Sequence, residues 1–482
     1  KRLMQKNTKC IYICKQRWYT INKQEVHKMK DVYLVNYSVK GIKTLDQTVS
    51  LSFYKKTISK EPDTQDYNIK GIYGMNGSGK SGIVTSVEIL RNLLTNPGYL
   101  ANPVAQKNLD EMINKKLNKL DITAEYIVKI PENVLLFKYN IILSKNIIGK
   151  YHISYEKLAV KNATSRSEGM TFVYEIIDGT VKFLYSQEKT EKDIIPKTMN
   201  LLAMSSMSSL FYEKFFIPSL KEGKQEKSFI WNSLLILNIL GMKLHVYVDE
   251  SDDHREYVTR NSMEYYNEEK HETENDEWIN SLLEMDSDHL NVLKITQNYV
   301  PEASYSHFEK TVNRLYEFLR IFKSDLQNIE IDRKEKDNIW ICDLIMVYED
   351  YKIHAEFEST GIKKLIKLFA YLNEMVRGSI VFIDELDSNL HDVYLCALLE
   401  YLMEYGEGQL CFTTHNVGPM DILKQHKKSI DFLSEDHKIY SWVTNGNYSP
   451  SKLYRNGMIE GSPFNVDSID FIGVFGVGEE DE

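Results

Sequence analysis

Gly71-Ile-Tyr-Gly-Met-Asn-Gly-Ser-Gly-Lys-Ser-Gly82 is the stretch on which the reading of this chain turns. Gly74 is followed by Met75, Asn76, Gly77 and Ser78, and then by Gly79-Lys80-Ser81. That spacing is the phosphate-loop pattern. Glycines let a backbone wrap closely around phosphate oxygens and aim its N–H groups inward. Lys80 is placed to reach the outer phosphates as a point charge, and the Ser81 hydroxyl to ligate Mg²⁺.

The flanking sequence supplies the context that the pattern requires. Residues 67–73 read as a short strand entering the loop. Ile83, Val87, Leu90 and Leu94 recur at helical spacing, and Asn96-Pro97-Gly98 stops that helix. Strand, glycine loop and helix together set a helix N-terminus beneath an anion. A chance glycine turn is the competing reading, and it does not account for the strand and helix on either side.

The chain has 482 residues, 43% of them apolar, enough for a large core and two or three lobes. It holds no run of 18 apolar residues, so no transmembrane helix is expected, and no signal peptide is seen. The five cysteines, Cys10, Cys14, Cys342, Cys396 and Cys411, form neither a zinc pattern nor a disulfide framework. A reducing cytoplasm fits. The net charge is −10, and residues 249–277 carry twelve acids against Arg255, Arg260 and Lys270. The rest is close to neutral, without an obvious basic footprint for nucleic acid, although a local basic groove stays open.

In chain order, residues 1–28 read as a basic extension. Residues 29–194 read as a first lobe, with strands at 32–37 and 48–53 around Gly41, the phosphate loop, and an antiparallel sheet at 122–130, 134–143, 151–155 and 171–177. Residues 195–328 read as a helical, acidic insertion, with helices at 199–210, 228–240, 278–293 and 307–321. Residues 329–482 read as a second lobe. It opens on a hairpin around Glu349-Asp350, continues through Glu358-Ser-Thr-Gly361 and a helix, and reaches the apolar strand Ile380-Val-Phe-Ile-Asp-Glu385. Gln409-Leu-Cys-Phe-Thr-Thr-His-Asn416 is a second buried strand with a polar end. A further strand is expected near 439–443, ahead of a tail at 463–476. The expected fold is therefore α/β, with mixed sheets around a phosphate loop and a helical insertion.

Asp384 is a candidate for holding Mg²⁺, and Glu385 for polarising or deprotonating an attacking water. A buried, hydrogen-bonded acid pair is the plain alternative. His415 closes the next strand, where an imidazole can meet a γ-phosphate, whereas a lone histidine is ordinarily structural. Ser359 and Thr360 are ordinary N-cap residues, and the same geometry also makes an anion site.

Together these residues resemble the ATP-binding-cassette class of AAA-type ATPases, in its soluble branch similar to structural-maintenance-of-chromosomes proteins. The matched elements are Gly74–Ser81, the Walker B segment Ile380–Glu385 with Leu390-His391 after it, the switch His415, and Ser359-Thr-Gly361 as a degenerate signature. The resemblance implies ATP and Mg²⁺ as cofactors and hydrolysis to ADP and phosphate. It implies phosphate contacts from Gly74, Asn76, Gly77, Ser78, Gly79, Lys80 and Ser81, and metal contacts from Ser81 and Asp384. Glu385 and His415 take the catalytic roles. Ser359 and Gly361 meet the γ-phosphate of ATP held by a second copy, so a homodimer or higher oligomer is implied. Asp387 matches the D-loop position, and no glutamine is assigned to the Q-loop.

Within that branch the chain resembles ATPases of bacterial antiphage and abortive-infection systems, of the OLD-like, Septu and PARIS types. Ser462-Pro-Phe-Asn-Val466 and Asp470-Phe-Ile472 resemble their tails. This implies a sensor that responds to a phage-derived trigger and controls a toxic effector such as a nuclease. The 67 residues after His415 leave no room for a fused nuclease, so the effector is expected on a separate chain. A chromosome-repair or recombination ATPase is the alternative, and it asks for a basic cleft or a long coiled coil. The nucleotide-binding part of a transporter is a third reading, opposed by the long insert and the degenerate signature.

Overall fold

The computed structural model describes residues 32–130, 133–186, 204–216, 228–248, 293–336, 339–443 and 448–462. The expected extension at 1–28, the acidic run at 249–277, all but the end of the 278–293 helix and the tail at 463–476 lie outside these. The described chain is mixed α/β, with three sheets.

Strands β1 (Val32–Lys40) and β2 (Val49–Ser52) pair antiparallel and lead into β3 (Ile69–Gly74). The glycine loop follows, then α1 (Lys80–Thr95) and α2 (Pro103–Met112). Strands β4 (Lys119–Ile130), β5 (Asn133–Lys145), β6 (Tyr151–Asn162), β7 (Thr171–Ile177) and β8 (Thr180–Leu184) make a meander. They join β1 and β2 in one antiparallel sheet, β2-β1-β4-β5-β6-β7-β8. Burial along β5 largely alternates, as for a sheet with one covered face. The two-residue turn from β7 to β8 is Asp178-Gly179 with φ of 46° and 74°. Both values are left-handed, which suits the twist of a tight hairpin and explains the Asp-Gly pair.

The next segment corrects the expected insertion. Helix α3 (Met207–Phe211) is followed by α4 (Phe229–Lys243) and, without a break, by β9 (Leu244–Tyr247). Helix α4 packs on α1 so closely that a Cβ on Gly241 would stand 2.6 Å from Leu94 Cβ. β9 pairs in parallel with the strand that carries Asp384. Residues 228–248 are thus part of the main body. Phe229-Ile-Trp-Asn-Ser-Leu-Leu-Ile-Leu-Asn-Ile-Leu-Gly-Met-Lys243 is apolar nearly all round, which is the mark of a helix buried on every side.

Strand β10 (Asn298–Pro301), helix α5 (Tyr305–Phe322) and strands β11 (Asn328–Lys336), β12 (Ile339–Val347) and β13 (Lys352–His354) form a small unit of their own. The expected insertion therefore contains strand as well as helix. This unit packs on the first half of α6 (Thr360–Val376) through Ile362, Leu365, Ile366 and Phe369.

Strands β14 (Ile380–Ile383), β15 (Gln409–Thr413), β16 (Ile430–Leu433) and β17 (Ile439–Ser441) complete the second sheet, in the order β17-β16-β3-β15-β14-β9. All of its neighbours are parallel except β17. Both faces are covered, so its five parallel strands are continuously buried, whereas the antiparallel edge strand β17 is not. One face shares a core with α1, α4 and the antiparallel sheet, where Phe382 meets the rings of Tyr37 and Phe53. The other lies under the second half of α6 and under α7 (Asp392–Tyr405) and α8 (Met420–Leu423). Helix α9 (Pro450–Arg455) closes that side with Tyr454 stacked on Phe432.

The two large sheets are also stitched by one side chain. The register of β1 slips between Leu34, level with Tyr126, and Asn36, level with Glu125, a bulge at Val35. Beside the bulge, Gln409 grips the Leu34 backbone: the Leu34 N–H donates to Oε1 at 2.6 Å, and Nε2 donates to the Leu34 carbonyl at 2.9 Å. No helix among the described residues is long and apolar enough to cross a membrane.

Candidate functional site

β3, β15 and β14 are parallel neighbours, so their C-terminal ends share one edge. Ile383 is level with Phe412, and Phe412 with Gly71. Gly74, Thr413-Thr414 and Asp384 therefore emerge side by side, within about 10 Å across two strand spacings. The glycine loop and the acid pair, 304 positions apart in the chain, are brought to one place by sheet order alone.

Each glycine of the loop has a separate reason. A Cβ on Gly74 would lie 2.5 Å from the Leu433 carbonyl oxygen. Gly79 has a φ of 102°, and a Cβ there would strike Leu45 at 2.4 Å. Gly77 has a φ of 81° with open space beside it, so conformation rather than crowding selects glycine there. Asn76 and Gly77 are exposed at the tip. Gly79 offers α1 no side-chain cap, which leaves the start of a 16-residue helix to be satisfied by something other than a side chain.

Lys80 is 6% exposed and donates to the carbonyls of Gly74 at 2.7 Å and Met75 at 2.9 Å. Its cation is held by neutral oxygens of its own loop. Burial pushes its pKa down to about 8, while the charges of Asp384, Glu385 and Asp387 pull the other way. Those three carboxylates acting on one ammonium put both halves of the site together electrostatically. Ser78 Oγ and Asp387 Oδ1 are buried with no hydrogen-bond partner. A donor hydroxyl left without a partner at Ser78, beside a buried cation and an uncapped helix, fits an anionic, oxygen-rich ligand, whereas the Asp387 carboxylate, an acceptor only, does not.

Asp384 and Glu385 divide as their adjacent positions allow. Asp384 is buried, and its Oδ1 accepts from Thr413 Oγ1 at 2.5 Å. The Glu385 N–H donates to the same Thr413 hydroxyl at 2.8 Å. Glu385 has a φ of 47°, left-handed for a residue with a side chain, and its carboxylate faces solvent. A conformation that costs roughly 1–2 kcal/mol aims one carboxylate inward and the next outward. Thr413 escaped the sequence reading as a site residue, although its hydroxyl at the end of a buried strand was a usable signal.

Ser81, half-buried in the first turn of α1, and Asp384 are the residues suited to Mg²⁺. The described residues hold no cluster of three or more His, Cys, Asp or Glu that could bind a metal by themselves.

His415 stands exposed just past β15, and no side chain among the described residues bonds its imidazole. Ser359 and Gly361 are placed elsewhere. Ser359 caps α6, its Oγ accepting from the Ile362 N–H at 3.4 Å. Thr360 Oγ1 donates to Asn389 Oδ1 at 3.4 Å, and a Cβ on Gly361 would lie 2.8 Å from the Asn389 carbonyl oxygen. Their contacts are with α6 and the turn at 385–389, and the hydrogen bonds of Ser359 and Thr360 do not reach the glycine loop. Ser359 and Thr360 are exposed, and Gly361 is half-buried.

No family model matches this chain, and no curated protein matches it. Among solved structures, the recombination mediator protein RecF in the RecFOR pathway, in its RecF-ATPrS form, aligns with 86% of this chain and 99% of that chain. The identity is 13% and the TM-score 0.36. A score that low leaves fold and function to the chain's own geometry.

Proposed function

We propose that this chain is a Mg²⁺-dependent ATPase of the ABC type that converts ATP and water to ADP and phosphate. The observation that carries the reading is the meeting of Lys80 with Asp384 and Glu385 on one sheet edge, beneath a glycine loop and an uncapped helix. The loop N–H groups and Lys80 hold the triphosphate, while Ser81 and Asp384 hold Mg²⁺. Glu385, facing outward, polarises the attacking water, and His415 reaches the transferred phosphoryl group. Mg²⁺ held by Ser81 and Asp384 would supply neutralisation of phosphate charge.

Lys80 gives the direct test. A nucleotide held at the loop stabilises the charged ammonium, so binding above pH 8 must take up a proton. ATP affinity of the wild type is expected to fall as pH rises through about 8, with proton uptake read by calorimetry in buffers of different ionisation heat. Lys80→Ala loses a charge-assisted contact of about 1.5–3 kcal/mol, roughly 10- to 150-fold in affinity, and loses that pH dependence. Equal affinity and equal pH profiles for the two proteins would remove the site from consideration.

The finer reading is a cytoplasmic sensor in antiphage defence, in which two ATP-bound copies pair and control a separate toxic effector. Its support is the resemblance of the motifs, the exposed Ser359 beside a half-buried Gly361, and an acidic chain better suited to protein contacts than to DNA. A repair or recombination ATPase is the alternative. Duplex binding to phosphates weakens steeply between 50 and 200 mM salt, by about 10³- to 10⁵-fold for six to ten contacts. The sensor reading expects weak duplex binding by the isolated chain at either salt. Tight binding with that slope would favour the repair ATPase.

A further inference from the structure

Lys364 is a lysine only 4% exposed, on α6 one turn beyond Thr360. Its ammonium donates to the carbonyl oxygen of Glu385 at 2.5 Å and to Ser388 Oγ, and it lies 6.0 Å from the centre of the Tyr247 ring. The carbonyl it holds belongs to the residue with left-handed φ whose carboxylate faces solvent. That carbonyl also accepts the Ser388 N–H at 3.1 Å, and the Leu390 N–H donates to the Asp387 carbonyl at 3.1 Å. Asn389, at the far end of the turn, is left-handed too, with a φ of 62°, and its carbonyl lies against Gly361.

A turn with two left-handed side-chain residues does not hold its shape unaided; something must over-determine it. The Thr413 hydroxyl fixes the N–H of Glu385 from β15, and Lys364 fixes its carbonyl from α6. The two grips come from opposite sides of the peptide pair that sets the direction of the Glu385 side chain.

We propose that Lys364 is the positioning residue that holds Glu385 in its left-handed, outward-facing conformation, and so ties the water-polarising carboxylate to the first turns of α6. The proposal rests on the ATPase reading above. Lys364 touches neither nucleotide nor metal in this scheme, so its removal should act on turnover and leave binding alone. This also gives α6 a mechanical route to the site: a shift of its N-terminal turns moves the Glu385 peptide through Lys364, and the Asn389 end through Gly361.

The test uses the full chain, with turnover, KM and direct ATP binding measured on Lys364→Met, Ser388→Ala, Glu385→Gln and the double variant Lys364→Met/Glu385→Gln. Lys364→Met is expected to lower kcat by about 10- to 100-fold, the effect of a misplaced catalytic group. ATP affinity stays at the wild-type value. Ser388→Ala, which removes one acceptor with little change of volume, gives a smaller fall with the same split. On the Glu385→Gln background, Lys364→Met adds no further loss, because both changes act through one group. Wild-type kcat in Lys364→Met, or a full additional loss in the double variant, overturns the positioning role. If Lys364→Met does not fold, unchanged kcat in Ser388→Ala overturns it. A wild-type chain without ATP turnover, or Glu385→Gln turning over at the wild-type rate, overturns the ATPase reading and this role with it. An inactive Glu385→Gln beside a fully active Lys364→Met overturns the positioning role alone.

Discussion

Glu385→Gln is expected to bind ATP as the wild type does and to lose hydrolysis by about 10²- to 10⁴-fold, the range for removing a positioned general base. The substitution keeps size and hydrogen-bonding shape and removes only the negative charge. The N–H of residue 385 still donates to Thr413, and its carbonyl still accepts from Lys364. Asp384, the expected Mg²⁺ carboxylate, is untouched. Binding and chemistry should therefore separate cleanly in a comparison of ATP affinity with single-turnover hydrolysis. The same variant, loaded with ATP and Mg²⁺, is expected to sediment as a dimer, because hydrolysis no longer ends the bound state. A hydrolysis rate within a few fold of wild type would show that Glu385 is not the base. Monomers at saturating ATP would count against pairing and leave the hydrolysis result standing.

Lys70→Met is expected to destabilise the fold by about 3–5 kcal/mol, the usual consequence of leaving a buried charge without its partner. Lys70 lies on β3, directly before the glycine loop, at 1% exposure, and pairs with Asp431 on β16 at 2.7 Å, itself at 0%. Its ammonium also donates to the Lys428 carbonyl at 2.5 Å, and Asp431 Oδ1 accepts from Ser441 Oγ at 2.6 Å. Removing the lysine strands a carboxylate whose remaining donor is one hydroxyl. The double change Lys70→Met/Asp431→Leu should recover most of the loss, since a buried pair replaced by apolar residues is often neutral. Denaturant midpoints of the wild type, both single variants and the double variant form the cycle that tests this. A double variant as unstable as Lys70→Met would mean that packing, not the stranded charge, sets the effect. The pair grips the strand that ends in Gly74, so ATP affinity measured on the same proteins reports whether the loop depends on that grip.

The residue types of the candidate site were legible because they are local. Gly74 to Ser81 carries the phosphate-loop pattern through residue types that a tight turn and an anion require within a few positions. The apolar run Ile380–Ile383 followed by Asp384-Glu385 declares a buried strand with an acidic end for the same reason. The antiparallel meander was legible through its period of two. The expected helices over 228–240 and 307–321 are also present, within α4 and α5.

What was illegible is long-range. Leu244-His-Val-Tyr247 is too short to show a period, and it becomes a strand because β14 offers it a parallel edge. That pairing moved residues 228–248 out of the expected insertion and into the main body. Gln409 read only as the first residue of a buried strand, and the Leu34 backbone, 375 positions away, gives its amide a purpose. Lys70 read as one residue of a strand, and its partner on β16 lies 361 positions away.

By itself, the sequence determined the glycine turn, the helix start behind it and the buried strand with an acidic end, since backbone turns and helix starts are encoded by neighbours. Tertiary structure alone decided that Lys80, Asp384 and His415 share one edge, because strand order is set by which buried faces fit together and not by position in the chain. It also decided that Lys364 reaches the Glu385 carbonyl. A side chain's partner across a packed core depends on the placement of two helices and a sheet, which no local pattern records.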